Sequence, residues 1–486
     1  MSRVPCPLHD AALRHPDAAA FVDASGQAIT FADCDAKASA VAAALRSAGL
    51  SAGARIALVE PLDTWSPAIL FGAFRAGCAA YIPNARLPRP ALLEHLAHTN
   101  CRCVVASAQA GELPHRVAPA GLLDHPDRLT SAEVELDAPA TLIATSGSTG
   151  EPKLAVLSLD NLLANAAASN ENIHIQPGDR WLLSLPLYHV SGLGIVFRCV
   201  LSGAAVAVPE PQEALEDAIT RLSVTHLSLV AAQLQRLLST PSGQHALRRL
   251  KAVLVGGGAT PAGLIERAAA SEVPLYTTYG LTETASQVAT SPPGASLAAL
   301  KTSGRPLTPG TVRIASGQEI QVRGRTLFLG YLQRDGTLRR PLTPDGWFPT
   351  GDLGRLDEAG NLVVTGRKDN MFVSGGENIQ PEEIEAALCA FQDVDRAIVV
   401  PVPDPEFGLR PAAFIAPAPG FTLEPDALRA RLAKTLPRYK LPARFLNWPE
   451  DTPQTGLKPS RAMLQRLDVD RLREQPERPT TPPPEP

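Results

Sequence analysis

The sequence predicts a mixed α/β protein: a large N-terminal domain of parallel-sheet α/β subdomains with a β-rich subdomain, then a small α+β C-terminal domain. Short apolar runs alternate with amphipathic stretches from the N-terminus to Leu300. Strands that alternate with helices are typical of a largely parallel sheet. From Gly304 onwards, short strands between tight turns replace this alternation. A chain of 486 residues is long enough for two or three domains with a large core.

The predicted elements of the N-terminal domain follow in chain order. Buried strands are predicted for RIALVE, CVVAS, HLSLV and AVLVGGG, and helices for FADCDAKASAVAAALRSAG, QLQRLLST and PAGLIERAAAS. Residues 304–366 contain the short strands TVRIA, EIQVRG and NLVVTG, separated by turns such as DG and AGN. This range is therefore the predicted β-rich subdomain, and the N-terminal domain is expected to span residues 1–368.

The predicted C-terminal domain spans residues 369–470. PEEIEAALCAF and PDALRARLAKTL are typical of helices, whereas DRAIVVPV and PAAFIAP are typical of strands. Residues 471–486 are rich in proline and polar side chains, so we expect a disordered tail.

Composition excludes several classes of protein. The net charge of −4 argues against a nucleic-acid partner, because such proteins usually carry a basic excess. The longest apolar stretch, residues 182–208, is interrupted by Pro186, His189 and Arg198, so no membrane span is predicted. Seven cysteines without metal-ligand spacing, together with the lack of an apolar leader, predict reduced thiols in a cytoplasmic protein.

LIATSGSTGEPKLAV, residues 142–156, has the composition of a phosphate-holding loop. Small residues with free backbone N–H groups precede a single lysine, a combination that suits phosphate oxygens. The spacing differs from a Walker A motif, in which the lysine directly follows a glycine. The candidate residues are Thr145, Ser146, Gly147, Ser148, Thr149, Gly150 and Lys153.

Two later stretches carry candidate nucleotide contacts. In VGGGATP, Gly257 and Gly258 follow a strand and would let the backbone approach a flat ligand, although a tight strand-to-helix turn explains them equally well. TTYGLTETAS combines the ring of Tyr279, hydroxyls such as that of Thr282, and the carboxylate of Glu283. This mixture suits purine stacking, phosphate contacts and a magnesium ligand.

Two further stretches carry candidate residues, and the second lies at the predicted domain junction. GWFPTGDLG places Asp352 between glycines, as is needed to hold a ribose diol. GRKDNMFVSGGENIQPEEIE contains Arg367, Asp369 and the pair Gly375–Gly376.

In this order, the five stretches resemble the motifs of the adenylate-forming superfamily of acyl-CoA synthetases, peptide-synthetase adenylation domains and luciferases. The resemblance runs from Thr145 to Lys458, and its domain plan covers nearly the whole chain. It implies that a carboxylate attacks the α-phosphate of ATP and that a thiol then displaces AMP. It also implies ATP, Mg²⁺ and CoA as cofactors and co-substrate.

The resemblance implies a role for each candidate. Lys153 and the loop hydroxyls would contact the outgoing pyrophosphate, Tyr279 would stack on adenine, and Glu283 would bind magnesium. Asp352 and Arg367 would hold the ribose hydroxyls.

Two C-terminal roles are also implied, each with an alternative. Lys458, in PQTGLKPSRAML, matches the catalytic lysine of the superfamily, although Leu457 separates it from the glycine that commonly precedes it; a solvated surface lysine is the alternative. Asp369 matches the hinge on which the small, mobile domain turns between the two steps, and a turn aspartate is the alternative.

Three stretches resemble o-succinylbenzoate–CoA ligases of menaquinone synthesis: SLPLYHVSGLGIVFR, DNMFVSGGENIQPEEIE and VPDPEFGLRPAAF. Of the two carboxylates of such an acid, only the succinyl one should react, and Arg198 could grip the other in bidentate fashion. An outward-snorkelling arginine is the alternative. His189 would pack on or gate the acyl site, unless it is a core histidine. Hydroxyl donors to this substrate would be Ser191, Thr284 and Ser286.

The competing functions are another aryl- or fatty-acyl-CoA synthetase and a non-catalytic nucleotide-binding scaffold. An adenylation domain that feeds a carrier protein is disfavoured, because no carrier region with its serine motif follows residue 470. The expected partner is a small aromatic dicarboxylate. A homo-oligomer remains open, since nothing in the sequence determines the oligomeric state.

Overall fold

The computed structural model describes residues 3–59, 65–84, 87–145, 153–375, 377–418, 420–449, 461 and 463–465. The chain divides into two compact units. The larger unit comprises Met1–Thr260, Leu264–Thr350 and Gly354–Val364, and the smaller comprises Pro261–Gly263, Gly351–Leu353 and Thr365–Pro486. The chain passes from the larger to the smaller unit for the last time between Val364 and Thr365, a few residues before residue 368, where the sequence predicts the domain boundary. That boundary stays a prediction. The Pro-rich tail lies outside the described residues.

The helices begin and end as follows: α1 Pro7–Arg14, α2 Phe31–Ser47, α3 Ser66–Ala76, α4 Arg89–Thr99, α5 Pro119–Leu123, α6 Leu159–Asn172, α7 Val190–Ser202, α8 Leu215–Arg221, α9 Ala231–Leu238, α10 Pro241–Arg248, α11 Ala262–Ala270, α12 Leu297–Leu300, α13 Pro381–Cys389 and α14 Pro425–Leu432.

The strands of the first half are β1 Arg3–Pro5, β2 Ala19–Val22, β3 Ala28–Thr30, β4 Arg55–Val59, β5 Ala79–Tyr81, β6 Cys103–Ala106, β7 Arg116–Val117, β8 Glu133–Glu135, β9 Pro139–Thr145, β10 Lys153–Ser158, β11 Arg180–Leu182, β12 Ala205–Ala207, β13 His226–Leu229 and β14 Ala252–Val255. Those of the second half are β15 Leu275–Leu281, β16 Ser286–Thr290, β17 Arg305–Pro306, β18 Val312–Ile314, β19 Glu319–Val322, β20 Gly330–Leu332, β21 Leu338–Arg339, β22 Phe348–Leu356, β23 Leu362–Arg367, β24 Phe372–Ser374, β25 Glu377–Ile379, β26 Val394–Asp404, β27 Gly408–Pro417 and β28 Arg444–Asn447.

An eight-stranded sheet of the larger unit has the order β21-β20-β10-β9-β5-β4-β6-β7. Strands β9, β5, β4, β6 and β7 run parallel, whereas β10 is antiparallel to both β9 and β20. Helix α2 packs on α3, and its N-terminus is closed by a capping box between Thr30 and Asp33. Apolar strand runs without alternation are typical of strands buried on both faces.

A nine-stranded sheet has the order β17-β16-β15-β14-β13-β11-β12-β2-β3. Its centre, from β15 to β2, is parallel, and antiparallel strands flank it on both sides. The predicted strands RIALVE, CVVAS, HLSLV and AVLVGGG correspond to β4, β6, β13 and β14, so the prediction of a largely parallel α/β domain is confirmed.

The predicted β-rich range is shared between sheets. A four-stranded sheet has the order β18-β19-β22-β23, and it contains the three strands predicted from sequence. Strands β17, β20 and β21 of the same range instead extend the edges of the two larger sheets. Short strands that pair with an open edge satisfy backbone groups that would otherwise be unpaired.

The smaller unit has an α+β core. Strands β26, β27 and β28 form a sheet, and β24 pairs with β25 as a hairpin. Helix α13 packs on β26 through Ile384 and Leu388, which are buried with Val399 of that strand. The two predicted helices and two predicted strands of this region are confirmed.

Within the part of the chain that the structure describes, no helix is both long enough and apolar enough to cross a membrane. The long apolar stretch from Leu182 to Val208 forms β11, a loop, α7 and β12 instead, and nearly all of α7 is buried.

Candidate active site

The ends of the predicted phosphate loop are held together as a pair of strands. Thr145 ends β9 and lies opposite Lys153, the first residue of β10. The Thr145 hydroxyl donates to the Lys153 carbonyl oxygen at 3.3 Å. Lys153 is exposed and so can meet a phosphate. The predicted loop contacts Ser146, Gly147, Ser148, Thr149 and Gly150 lie outside the described residues.

Glu283 lies in a strained turn between β15 and β16. A single 3₁₀ turn, Thr282–Thr284, is followed by Ala285 with φ 60° and Ser286 with φ 145°, conformations that favour glycine. The buried Thr284 hydroxyl bonds the carbonyl oxygens of Leu281 and Ser286, at 3.0 and 3.2 Å, and so holds the turn. Backbone strain of this kind is typical of functional sites.

Tyr331, on β20, contacts both Lys153 and Glu283. Its hydroxyl donates a 2.5 Å hydrogen bond to Oε1 of Glu283. The Lys153 Nζ lies 5.4 Å from the centroid of the Tyr331 ring, within the range of a cation–π interaction. Tyr331 is not among the residues predicted from the sequence; its position in the short aromatic run FLGYL was the signal available.

The other nucleotide candidates of the larger unit lie on neighbouring segments. Tyr279 is half-buried on β15, opposite Ala289 of β16, and Thr282 is half-buried in the turn. Gly257 and Gly258 are exposed in the turn after β14, where Gly257 has φ +81°. Strands β14 and β15 are adjacent and parallel, so these candidates share the carboxyl-terminal edge of one sheet. Ligands of open α/β sheets usually bind at that edge.

Arg198, on α7, is a buried cation with unsatisfied hydrogen-bonding capacity. The residue is 1 % exposed, and its Nε and Nη1 have no hydrogen-bond partner among the described residues. Its guanidinium carbon lies 4.9 Å from the Trp181 ring centroid. Burial lowers the pKa of Arg198 to about 10, so the side chain stays charged at neutral pH. The snorkelling alternative is therefore wrong.

Gly194 leaves room beside the Arg198 guanidinium. A Cβ at this position would lie 3.0 Å from Nη2 of Arg198 and 3.8 Å from Oγ of Ser286. The two predicted substrate residues are thus brought together across α7 and β16. A buried guanidinium with two nitrogens that have no hydrogen-bond partner in the described part of the chain, and with a hydroxyl nearby, is suited to an anionic ligand.

The remaining substrate candidates flank the start of α7. His189 is the residue before the helix; it is half-buried, and its ring lies 4.7 Å from that of Tyr188. Ser191 is half-buried in the first turn. Their predicted contacts with the substrate, and that of Thr284, stay predictions.

Helix α6 fixes these segments through asparagines. The buried Asn165 donates to the carbonyl oxygens of Thr284 and Gln287 at 3.1 and 2.7 Å. Asn170 donates to the Arg198 carbonyl oxygen at 3.0 Å. A single helix therefore positions both the strained turn and the arginine-bearing helix, another feature that the sequence analysis missed.

In the smaller unit, the ribose candidates are joined by an ion pair. Asp352 is 9 % exposed, and its Oδ1 lies 3.0 Å from Nη1 of Arg367. Arg367 also approaches Oδ2 of Asp369 at 3.3 Å, in the exposed 3₁₀ turn Lys368–Asn370. Gly375 has φ +56° in the β24–β25 hairpin. Lys458 lies outside the described residues, so its placement stays a prediction.

The donor set around Glu283 suits magnesium bound together with phosphate. Among the described residues, no group of three or more His, Cys, Asp or Glu side chains could hold a metal by itself. Magnesium is commonly bound through one or two carboxylates, substrate phosphates and water. A single carboxylate near the exposed Lys153 therefore fits an ion that arrives with a nucleotide.

Comparisons with known proteins identify the family of this chain. Residues 8–332 match the family described as AMP-binding enzyme, and residues 383–457 match the AMP-binding enzyme C-terminal domain. The 2-succinylbenzoate–CoA ligase of Geobacillus kaustophilus is 35% identical over 456 residues, which are 90% of this chain and 93% of that protein.

Solved structures of one Bacillus subtilis enzyme are also similar. Its o-succinylbenzoate CoA synthetase (MenE), in complex with the acyl-adenylate intermediate OSB-AMP, gives a TM-score of 0.85 at 28% identity, covering 96% of this chain and 99% of that one. The same enzyme with ATP and magnesium ion gives 0.81 at 28% identity, covering 92% and 96%. This chain therefore belongs to the AMP-binding enzyme family, the adenylate-forming superfamily that its motifs resemble.

Proposed function

We propose that this chain is an ATP-dependent acid–thiol ligase that converts 2-succinylbenzoate to its CoA thioester through an acyl-adenylate, in menaquinone biosynthesis. The observation that carries the choice of acid is Arg198, a buried guanidinium beside Ser286 whose Nε and Nη1 have no hydrogen-bond partner among the described residues. A fatty-acid tunnel has no use for such a group, because an unpaired buried cation is costly. The relatives named for this activity, which match nearly the whole chain, support the same acid.

The first chemical step needs charge stabilisation more than covalent help from the protein. The succinyl carboxylate attacks the α-phosphorus of ATP, an acyl-phosphate bond forms, and pyrophosphate leaves. Lys153 and the hydroxyls of the phosphate loop are suited to the pyrophosphate. Lys458 is the candidate to bridge the attacking carboxylate and the α-phosphate. Magnesium, when bound, neutralises phosphate charge, and Glu283 is the residue suited to hold it.

The second step joins carbon to sulfur. The CoA thiolate attacks the acyl carbon of the adenylate, a thioester forms, and AMP leaves. Asp352 and Arg367 are suited to keep the ribose in place through both steps, and Asp369 is the candidate hinge between them.

Arg198 provides the chemical basis for choosing between the two carboxylates. A guanidinium that pairs with the ring carboxylate fixes the orientation of the acid and leaves the succinyl end for reaction. Trp181 supports the cation from one side without neutralising it.

The test is an assay of AMP release with ATP, magnesium and CoA. 2-Succinylbenzoate, benzoate and a medium-chain fatty acid are compared, and the thioester is identified by mass. A strong preference for 2-succinylbenzoate is expected. Preference for another acid would support the alternative of another aryl- or fatty-acyl-CoA synthetase. Absence of AMP release with every acid would support the alternative of a non-catalytic nucleotide-binding scaffold.

A further inference from the structure

We propose that Tyr331 is a positioning residue that keeps Lys153 and Glu283 near each other but unpaired, so that one can bind phosphate and the other magnesium. The inference rests on the proposed function, because it concerns the nucleotide end of the same site. Both side chains contact Tyr331, one through its hydroxyl and the other over its ring.

The backbone fixes Tyr331 between the two charged elements. Ala155 of β10 lies opposite Tyr331 of β20, two residues after Lys153. The N–H of Leu329 donates to the Val156 carbonyl oxygen at 2.8 Å, and that of Phe328 donates to the Glu283 carbonyl oxygen at 2.8 Å. One short segment is thus hydrogen-bonded to both elements.

Aromatic packing sets the direction of the Tyr331 ring. Phe328 meets it edge-on, with ring centroids 4.8 Å apart and an interplanar angle of 70°. Phe328 is itself buried and packs on Phe348, with centroids 5.3 Å apart. A ring held in this way has little freedom to turn its hydroxyl away from Glu283.

The charges explain why such a spacer is needed. Lys153 and Glu283 carry opposite charges on elements that contact each other, so they attract, and an ion pair between them would satisfy both before the nucleotide arrives. Among the ion pairs of the described residues, none joins Lys153 to Glu283. The Tyr331 hydroxyl instead satisfies Oε1 of Glu283, and the ring face attracts the ammonium group without neutralising the carboxylate.

Four variants separate the two roles of Tyr331: Tyr331→Phe, Tyr331→Leu, Glu283→Gln and the double variant Tyr331→Leu/Glu283→Gln. Titration calorimetry measures ATP binding with magnesium and, separately, with EDTA. The phenylalanine variant keeps the ring, so binding of ATP alone should match wild type, whereas MgATP binding weakens about tenfold through loss of a charge-assisted hydrogen bond.

The leucine variant removes the spacer, so Lys153 and Glu283 should pair and binding of ATP without magnesium should weaken about tenfold. Removing the Glu283 charge lowers its repulsion of magnesium-free ATP in any background. Glu283→Gln should therefore raise the magnesium-free affinity more in the leucine background, where it also releases the lysine, than in wild type, a difference that a merely structural defect would not produce. Tyr276→Phe, on β15 before the Glu283 turn, is the matched control and should leave both affinities unchanged.

Two results would overturn the inference. One is a Tyr331→Leu variant that binds magnesium-free ATP as wild type does. The other is a gain in magnesium-free affinity from Glu283→Gln that is no larger in the Tyr331→Leu background than in wild type. Circular dichroism checks the fold, and Tyr331→Phe keeps the test valid if the leucine variant fails to fold. Because these titrations contain no acid, a wrong acyl substrate would leave the inference standing.

Discussion

The guanidinium of Arg198 lies over the indole of Trp181, with the guanidinium carbon 4.9 Å from the ring centroid and both side chains fully buried. The indole Nε1 donates to the Ser228 hydroxyl at 3.1 Å, so the ring is fixed on the strand side. The cation is therefore held in place while Nε and Nη1 have no hydrogen-bond partner within the described residues. Such an arrangement favours ligand binding over stability.

Replacing Arg198 should change substrate choice and leave the fold intact. In Arg198→Met, we expect kcat/KM for 2-succinylbenzoate to fall about 10- to 100-fold, the range for loss of a charge-assisted hydrogen bond. 4-Oxo-4-phenylbutanoate, which lacks the ring carboxylate, should react about equally well with both proteins. Because Nε and Nη1 have no hydrogen-bond partner among the described residues, and methionine can still pack on the Trp181 ring, the free energy of unfolding should stay constant or rise by about 1 kcal/mol.

Arg75→Met is the matched control for that variant. Arg75 is also buried, but it is paired with Asp35 and bonded to the Ser39 hydroxyl. Its loss should lower the free energy of unfolding by about 3 kcal/mol and leave the ratio of the two substrates unchanged. Equal losses for both acids in Arg198→Met would contradict the proposed grip on the ring carboxylate.

Asp352 should distinguish ATP from 2′-deoxy-ATP. If its carboxylate accepts hydrogen bonds from the ribose hydroxyls, Asp352→Asn should weaken ATP binding about tenfold and affect the deoxynucleotide much less. Calorimetric titration of both nucleotides measures this difference. Asp345→Asn, which alters an exposed aspartate bonded to Arg313, should change neither affinity. An equal loss of affinity for both nucleotides would contradict the proposed contact between Asp352 and the ribose.

Lys458 should be needed for the first step alone. In Lys458→Ala, pyrophosphate exchange should fall by at least about 100-fold, because one charged contact to the reacting groups is lost. Thioester formation from a supplied acyl-adenylate should continue at close to the wild-type rate. Lys434→Ala, an exposed lysine of the smaller unit, is the control. An unchanged rate of pyrophosphate exchange in Lys458→Ala would contradict the catalytic role and support the alternative of a solvated surface lysine.

His226 should make the fold sensitive to acid. Burial against Trp181 lowers its pKa, and Nε2 faces the carbonyl oxygen of His174 at 2.9 Å. Below the unfolded pKa of about 6.5, the unfolded chain binds a proton that the folded one does not. Stability should therefore decrease as pH falls from 6.5, by at most about 1.4 kcal/mol per pH unit.

The variant His226→Gln should reduce that slope, while His245→Gln, at an exposed position, should not. Denaturant unfolding between pH 5 and 7 measures both, and identical slopes for all three proteins would exclude His226 as the cause.

The sequence predicted those parts of the site that depend on local composition. Lys153, Glu283 and Arg198 each lie in a stretch whose residue types indicate a ligand, and α7 follows from its apolar run. Tyr331 could not be predicted, because 48 residues separate it from Glu283, and they meet through the pairing of β20 with β10 and the bond from the Phe328 N–H to the Glu283 carbonyl oxygen. Asn165 was missed for a similar reason, since a helical asparagine reveals nothing about the distant carbonyl groups it will bind.

The β-rich range illustrates the same limit for the fold. Its strands were recognised from alternation and turns, but the sequence did not indicate that β17 and β20 would pair with different sheets. Edge pairing depends on which backbone groups remain open after the larger sheets have formed, and composition carries no such information.

The most direct test of the account is the rate of AMP release with 2-succinylbenzoate compared with 4-oxo-4-phenylbutanoate, in the presence of ATP, magnesium and CoA. We expect wild type to prefer the dicarboxylate by at least about tenfold and Arg198→Met to lose this preference. Equal rates with the two acids in wild type, or an unchanged preference in the variant, would contradict it.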